Sequence, residues 1–188
     1  MYVLKGKKTP IKMTNIMVDL ETLSTSMDAQ VLTIGAVAFD FWGNVKDEFY
    51  RRIDLASCEK IGLRKDQKTL EWWKSQEEEC KNEAFNSKNR VSIKDAILDF
   101  NRFWAKNKSE KLWCNGANFD EPILSTVYER LNLDKPWKFW NVRCLRTYLD
   151  VVGLNMSKCG FIAHNALIDC KNQVEAYKRA TETLSKYK

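Results

Sequence analysis

A run of nine mostly apolar residues, from Val31 to Phe39, restricts the fold more than any other segment of the sequence. The run is less than half the roughly 20 residues that a membrane-spanning helix needs. Its β-branched residues favour a strand instead, which we predict over Val31–Phe41. Trp42-Gly43-Asn44 is typical of a turn and Val45–Ile53 of a partner strand, so this part of the chain predicts an antiparallel hairpin.

Strand and helix signals alternate along the rest of the chain. Ile16–Glu21 has the two-residue alternation of a strand. Ser92 and Asp95 are typical of a helix start, and the apolar residues after them form one stripe. We predict four further helices and one further strand: a helix capped by Asp66, a strand at Lys111–Asn115, a helix capped by Asn118, and helices over Arg143–Val152 and about Asn165–Leu184. This order predicts an α/β fold with a mixed sheet flanked by helices.

The composition fits one compact domain. Of the 188 residues, 44% are hydrophobic and 30% are charged, both close to the averages for globular proteins. Four lysines within residues 1–12, a segment without acidic residues, supply most of the net charge of +6. We predict a basic, flexible N-terminal extension over residues 1–12 and a single domain over residues 13–188, whose net charge is only +2. The overall charge therefore supports nucleic-acid binding only weakly.

The cysteines and the N-terminus indicate the cellular compartment in which the protein is expected to function. None of the six cysteines forms a Cys-x-x-Cys pair, and no apolar segment follows the N-terminal lysines. These features argue against a zinc finger and a secretory signal, and they favour reduced thiols. We therefore expect a cytoplasmic protein without a membrane span.

Two acidic residues, Asp19 and Glu21, project from the same face of the predicted strand Ile16–Glu21. Like charges one pleat apart repel each other and lose hydration in a half-buried strand, at a cost of several kcal/mol. A bound cation would compensate this cost, and a sheet face open to water would also tolerate the pair. Because Asp-x-Glu arises by chance in a chain with 25 acidic residues, the motif alone leaves both interpretations open.

Three further residues could take part in catalysis. His164, the single histidine, immediately precedes the predicted last helix, and Asp169 lies in the first turns of that helix. An imidazole suits general-base work on water near neutral pH. Asp120 falls in the first turn of the helix that follows a Gly116-Ala117 turn. Each residue also has a structural interpretation, since acidic side chains stabilise helix N-termini and a lone histidine near a helix start is usually structural.

Together these residues follow the order of a known family. Val18-Asp19-Leu20-Glu21-Thr22, Asn118-Phe119-Asp120 and the His-x-Ala-x-x-Asp segment His164–Asp169 occur in that sequence along the chain. This order resembles the DEDDh 3′–5′ exonucleases of the ribonuclease H-like fold, which include the proofreading exonucleases and ribonuclease T. Three shorter segments are similar to the group of T-even phage exonuclease A: Leu70–Lys74, Trp113–Gly116 and Lys138–Asn141.

The resemblance implies a ribonuclease H-like mixed sheet and a defined chemistry. Asp19, Glu21, Asp120 and Asp169 would hold two divalent cations, Mg²⁺ or Mn²⁺, about 4 Å apart. His164 would act as the general base that takes a proton from the attacking water. The implied reaction hydrolyses phosphodiester bonds at the 3′ end of single-stranded DNA or RNA and releases nucleoside 5′-monophosphates.

The resemblance also implies contacts with the terminal nucleotide. Thr22 and Leu23 follow the metal strand, where the family contacts the last sugar and wedges against the last base. Many members have Thr-Gly after Asp-x-Glu-Thr, whereas this chain has Leu23-Ser24. Trp72 and Trp73 lie about 100° apart on a helix, so at most one is fully buried. We take Trp73 and Asn118 as further substrate-binding candidates, with coverage of the core edge as the alternative for the tryptophans.

Other functions remain open at this point. The main alternative is a non-catalytic nucleic-acid-binding module on the same fold, although four clustered acids would repel a polyanion. An α/β protein with coincidental acidic residues and an endonuclease are two further alternatives. The sequence does not distinguish DNA from RNA, because that choice depends on 2′-OH contacts, and it leaves a homodimer open.

Overall fold

A computed structural model of the chain describes residues 14–156 and 164–186. The strands within these residues are β1 (Thr14–Thr22), β2 (Val31–Phe39), β3 (Val45–Ile53), β4 (Arg90–Val91), β5 (Ser109–Cys114) and β6 (Val142–Cys144). The helices are α1 (Leu55–Lys60), α2 (Gln67–Lys74), α3 (Glu78–Ala84), α4 (Ile93–Lys106), α5 (Asp120–Arg130), α6 (Leu145–Val151) and α7 (Ala166–Ser185), and a 3₁₀ turn covers Phe139–Asn141.

The strands form one six-stranded sheet in the order β4-β3-β2-β1-β5-β6. The central strand β1 pairs antiparallel with β2 and parallel with β5, and β2 pairs antiparallel with β3. The short strands β4 and β6 pair in parallel with β3 and β5 at the two edges. Every residue of β2 is buried, which explains its nearly continuous apolar sequence. The predicted α/β fold with a mixed sheet is therefore confirmed.

Helices cover both faces of the sheet. On one face, Ile16, Val18 and Leu20 of β1 belong to a hydrophobic cluster with residues of α1, α4 and α5. On the other face, Met17 belongs to a cluster with residues of α6 and α7. Because side chains alternate along a strand, Asp19 lies on the same face of β1 as Met17. The sheet therefore directs this carboxylate toward α7.

The turn between β2 and β3 is held by Asp40. Its Oδ1 accepts hydrogen bonds from the backbone N–H groups of Trp42 (2.9 Å) and Asn44 (3.0 Å). Gly43 has φ of +81°, a left-handed conformation that glycine adopts without a steric penalty. The predicted turn and hairpin are confirmed, but β2 ends at Phe39 rather than at Phe41 because the turn begins at Asp40.

Two predicted helix caps are confirmed and one is wrong. The side chains of Asp66 and Ser92 each accept a backbone N–H from the first turn of α2 and α4. Asn165, predicted only as the approximate start of the last helix, caps α7. Asn118 does not cap α5, since the N-cap residue is Phe119 and no side-chain hydrogen bond closes that helix end.

The predicted helix Arg143–Val152 also needs correction. Arg143 lies in β6 opposite Trp113 of β5, and α6 begins only at Leu145. Pairing with the edge of the sheet overrides the local helical pattern here. Strand β4 and helices α1 and α3 were not predicted either; they are short, and their local patterns are weak.

The predicted extension over residues 1–12 lies outside the described residues. No helix within residues 14–156 and 164–186 combines the length and the apolar character that crossing a membrane requires.

Candidate active site

A glycine brings the last helix onto the central strand. Gly35 of β2 is the sheet partner of Asp19 on β1. A Cβ atom at Gly35 would lie 2.2 Å from the carbonyl carbon of Ala166, so only glycine allows the first turn of α7 to lie this close to the sheet. The Sγ of Cys170 donates a hydrogen bond to the Gly35 carbonyl at 3.3 Å. The N-terminus of α7 is therefore fixed beside Asp19.

The first turn of α7 holds Asp169 in place. The Asn165 side chain accepts the N–H groups of Leu167 and Ile168, both at 3.1 Å. Asp169 reaches back, and its Oδ2 accepts the N–H groups of His164 (2.9 Å) and Asn165 (3.1 Å). These bonds satisfy donors at the helix start and orient the carboxylate toward β1.

Three carboxylates meet between β1 and α7. One oxygen each from Asp19, Glu21 and Asp169 lies within 4.8 Å of the other two. Asp120 lies outside this group of three but is 4% exposed, and its Oδ1 accepts the backbone N–H of Leu20 at 3.1 Å. Asp120 is thus anchored to the residue between the two acids of β1. The structure brings three of the four acids that the sequence singled out into one group and anchors the fourth, Asp120, to the same strand.

Burial raises the pKa of all four acids, and repulsion by the other acids adds to the rise at Asp19 and Glu21. Burial, followed by the charges of Asp120, Glu21 and Asp169, raises the pKa of Asp19 well above its ordinary value. Burial, with the charges of Asp169 and Asp120, raises the pKa of Glu21 to about 8. Burial raises the pKa of Asp120 to about 7 and also raises the pKa of Asp169, against the backbone N–H groups that favour their charged forms. Without a cation, the cluster is therefore costly to ionise.

These shifts predict how stability depends on pH. An acid whose pKa is higher in the folded than in the unfolded state stabilises the fold below its unfolded pKa, and this stability is lost as the pH rises through the folded pKa. In EDTA, we expect the Tm to fall between about pH 5 and about pH 9, through the pKa values of Asp120 (about 7) and Glu21 (about 8). Mn²⁺ should reverse most of this fall, because it compensates the ionised cluster. A Tm in EDTA that stays level or rises over this range would contradict the prediction.

His164 lies between the acid cluster and two tryptophans of α2. Its backbone N–H binds Asp169, and its φ is +80°. Its ring meets the Trp72 ring edge to face, with centroids 5.0 Å apart, and lies 6.3 Å from the Trp73 ring. A positive φ is uncommon for a residue other than glycine. Here it occurs at the residue whose imidazole contacts the tryptophans.

A cavity of about 360 Å³ opens next to Glu21. The side chains around it come from β1, the loop after β1, α2 and the residue before α5: Leu20, Glu21, Thr22, Thr25, Lys68, Thr69, Trp72, Trp73 and Phe119. Trp73 is 2% exposed and donates its Nε1–H to the Thr22 carbonyl at 2.8 Å, whereas Trp72 is 42% exposed. As predicted, only one of the two tryptophans is fully buried. The exposed indole beside the cavity belongs to Trp72.

The other substrate-binding candidates occupy different positions. Thr22 lines the cavity, and its Oγ1 donates to the Ser24 carbonyl at 2.7 Å. Leu23 is 1% exposed and packs with Leu32 and Trp73, which leaves it no surface for a base. Asn118 is exposed on the turn before Asp120.

Two residues that the sequence analysis did not single out position Asp19. Gln173 is 3% exposed, and its Nε2 donates to Asp19 Oδ1 at 2.7 Å. Its Oε1 has no hydrogen-bond partner among the described residues. Gln173 lies one helical turn after Asp169, and residues with i, i+4 spacing share one face of a helix. This spacing could have indicated from the sequence that Gln173 faces the acids. Gly35 is a glycine within a mostly apolar strand. Such a glycine can indicate that another part of the backbone approaches the strand closely.

Comparison with known proteins identifies the family. A family model described as the 3′-5′ exoribonuclease Rv2179c-like domain matches residues 14–181. The chain belongs to this family. An exodeoxyribonuclease of Enterobacteria phage T4 is 30% identical over 203 aligned positions, which cover 89% of each chain. The protein is therefore an enzyme, a 3′–5′ exonuclease, which counts against the non-catalytic binding module.

Solved structures with low sequence identity share the fold of this exonuclease. The nuclease domain of 3′hExo, a DEDDh family member bound to rAMP, is 12% identical with a TM-score of 0.58, and the match covers 92% of each chain. Escherichia coli Exonuclease I in complex with a dT13 oligonucleotide is 14% identical with a TM-score of 0.68. That match covers 93% of this chain but 42% of Exonuclease I, so the chain spans less than half of that protein.

Proposed function

We propose that this exonuclease removes nucleotides from the 3′ end of single-stranded nucleic acid with two divalent cations and with His164 as the general base. The observation that carries the proposal is the meeting of Asp19, Glu21 and Asp169 in one partly buried cluster. The backbone N–H of His164 binds this same Asp169, so a proton acceptor lies beside the acids.

The donor set fits hard divalent cations. Carboxylate oxygens suit Mg²⁺ and Mn²⁺, whereas zinc usually prefers nitrogen or sulfur. Asp19, Glu21 and Asp169 would supply three of the ligands and Asp120 a fourth. Besides burial, the charges of the neighbouring acids raise the pKa values of Asp19 and Glu21, and a cation would offset this repulsion. When bound, such cations lower the pKa of an attacking water and stabilise the displaced oxygen.

The residues of the chain account for the remaining steps. His164 accepts a proton from the water that attacks the terminal phosphorus. The bond from phosphorus to the 3′ oxygen of the preceding nucleotide breaks, and the phosphate stays on the 5′ oxygen of the released nucleotide. The product is therefore a nucleoside 5′-monophosphate. Contact with the Trp72 ring orients the imidazole during this transfer.

The cavity next to Glu21 is the proposed position of the terminal nucleotide. It lies directly beside the acid cluster, and its wall contains the exposed indole of Trp72, the hydroxyl-bearing Thr69 and the ring of Phe119. A base stacked on an aromatic side chain gains about 1–3 kcal/mol. We assign this contact to Trp72, since Trp73 and Leu23 are buried.

Matched 5′-labelled DNA and RNA oligonucleotides test this proposal. With Mg²⁺ or Mn²⁺, we expect products shortened one nucleotide at a time from the 3′ end, and in EDTA we expect none. Comparing the two substrates also decides the sugar preference, on which the descriptions of the relatives differ, one being an exoribonuclease and the other an exodeoxyribonuclease. A circular single strand is the control. Cleavage of the circle would indicate an endonuclease, and equal hydrolysis in EDTA would rule out the metal mechanism.

A further inference from the structure

The segment from Lys135 to Leu149 is unusually basic and aromatic. These 15 residues include four cationic side chains and no acidic one. Lys135 is paired with Glu121 at 3.4 Å. Among the described residues, none of the other three cations forms an ion pair with an acid. We call these three residues, together with the two aromatic residues between them, the basic–aromatic strip: Lys138, Phe139, Trp140, Arg143 and Arg146.

The aromatic pair of the strip lies in solvent on a firmly anchored segment. Phe139 is 78% and Trp140 is 59% exposed, and their ring centroids are 4.8 Å apart. The preceding Trp137 is 2% exposed, and its Nε1 donates to Glu121 Oε1 at 3.0 Å. Trp137 also meets the ring of Tyr128 edge to face at 5.2 Å. The two aromatic rings are therefore exposed on an ordered turn. Large apolar side chains that are exposed together are characteristic of binding surfaces.

Hydrogen bonds connect the aromatic pair to the edge strand of the sheet. The Nη1 of Arg143 donates to the carbonyl oxygens of Trp140 (2.7 Å) and Val142 (2.8 Å). This guanidinium therefore lies against the aromatic turn. Arg143 belongs to β6, which is the last strand of the sheet on this side.

The other end of the strip reaches the active site. The backbone N–H of Arg146 donates to the Asn115 carbonyl at 3.0 Å. Its guanidinium Nη1 lies 3.5 Å from the position of a Cβ atom at Gly116, which begins the turn that leads to Asp120. The strip thus extends from the turn before Asp120, along the edge strand β6, to Phe139 and Trp140.

We propose that the basic–aromatic strip binds the single strand behind its 3′-terminal nucleotide, an inference that rests on the proposed function. Arginine binds phosphate through charge-assisted hydrogen bonds, and exposed aromatic rings stack on bases without sequence preference. This combination matches a polyanion with unpaired bases. Three cations that form no ion pair with an acid of the described residues favour nucleic acid over a second copy of this chain, whose net charge is also positive.

The test combines a double variant with a matched control. Phe139→Ala/Trp140→Ala removes the pair in the strip. Phe41→Ala/Trp42→Ala removes another edge-to-face pair, whose rings are 5.1 Å apart and which lies at the β2–β3 turn, outside the strip. Binding of a 20-nucleotide single strand is measured in EDTA, where hydrolysis does not interfere. Turnover of a dinucleotide, too short to reach Phe139 and Trp140, is measured with Mn²⁺.

We expect the strip variant to bind the 20-nucleotide strand at least about tenfold more weakly than the wild type. Its dinucleotide turnover should match that of the wild type, and the control variant should show no loss in either measurement. Arg146→Gln should flatten the salt dependence of binding, since each lost phosphate contact lowers the slope by about 0.7.

Other results would overturn the inference. Unchanged binding of the long strand by the strip variant would show that the strip does not bind nucleic acid. A change from dimer to monomer in light scattering, without loss of nucleic-acid binding, would identify an interface between copies of the chain. Absence of turnover by the wild type on either substrate would instead refute the proposed function, while the binding measurement in EDTA would still decide on the strip.

Discussion

Replacing Asp19 with asparagine is expected to slow hydrolysis about a thousandfold or more and to leave the protein folded. Asp19 is the acid on which the other three act most directly, because the charges of Asp120, Glu21 and Asp169 all raise its pKa. Removing its charge removes a ligand from the proposed cation site. Bound cations stabilise the transition state by several kcal/mol, and each 1.36 kcal/mol corresponds to a tenfold change in rate. Single-turnover rates on a 5′-labelled oligonucleotide measure this effect.

The stability of Asp19→Asn separates a functional from a structural role. Asparagine keeps the size of the side chain and relieves repulsion within the acid cluster. In EDTA at about pH 9, the Tm of the variant should therefore equal or exceed that of the wild type. Mn²⁺ should raise the Tm of the variant less than that of the wild type. Equal hydrolysis by the two proteins would count decisively against the metal site.

Gln173→Leu provides a graded comparison at the same site. Leucine removes the hydrogen bond to Asp19 Oδ1 but keeps the carboxylate. Loss of a residue that orients a metal ligand typically lowers metal affinity 10- to 100-fold. We therefore expect a higher Mn²⁺ concentration at half-maximal rate, with much of the maximal rate retained. An effect as large as that of Asp19→Asn would indicate that Gln173 does more than orient Asp19.

Replacing His164 with alanine is expected to lower turnover about 10²- to 10⁴-fold, the range typical of a lost general base. Metal binding should survive. Asp169 accepts the backbone N–H of His164, and alanine retains that donor. The rise in Tm caused by Mn²⁺ should thus match that of the wild type. An undiminished turnover rate would remove His164 from the mechanism.

Trp72→Phe is the matched control for His164→Ala. Phenylalanine preserves an aromatic edge-to-face contact with the imidazole, which in the wild type has a centroid separation of 5.0 Å. Most of the activity should remain in this variant. If His164→Ala lost both the turnover and the Mn²⁺-induced rise in Tm, the histidine would be acting through the structure of the helix start rather than through proton transfer.

Local patterns predicted the elements whose signals lie within a few residues. The apolar run of β2, the alternation in β1 and the caps Asp66 and Ser92 depend on neighbouring residues, and all agree with the structure. The predictions that were wrong depended on partners elsewhere in the chain. Arg143 is in a strand because it pairs with Trp113 of β5, a contact that no window of sequence contains.

The sequence alone determined which chemical groups this protein carries and in what order, because the acids and the histidine of the family motifs are a matter of residue identity and spacing. Tertiary structure decided where those groups meet. Gln173 binds Asp19 across 154 positions of chain, and Gly35 admits the start of α7 to the face of the sheet that carries Asp19. Distances between residues remote in sequence depend on strand order and on how closely a helix packs on the sheet, and both are properties of the whole fold.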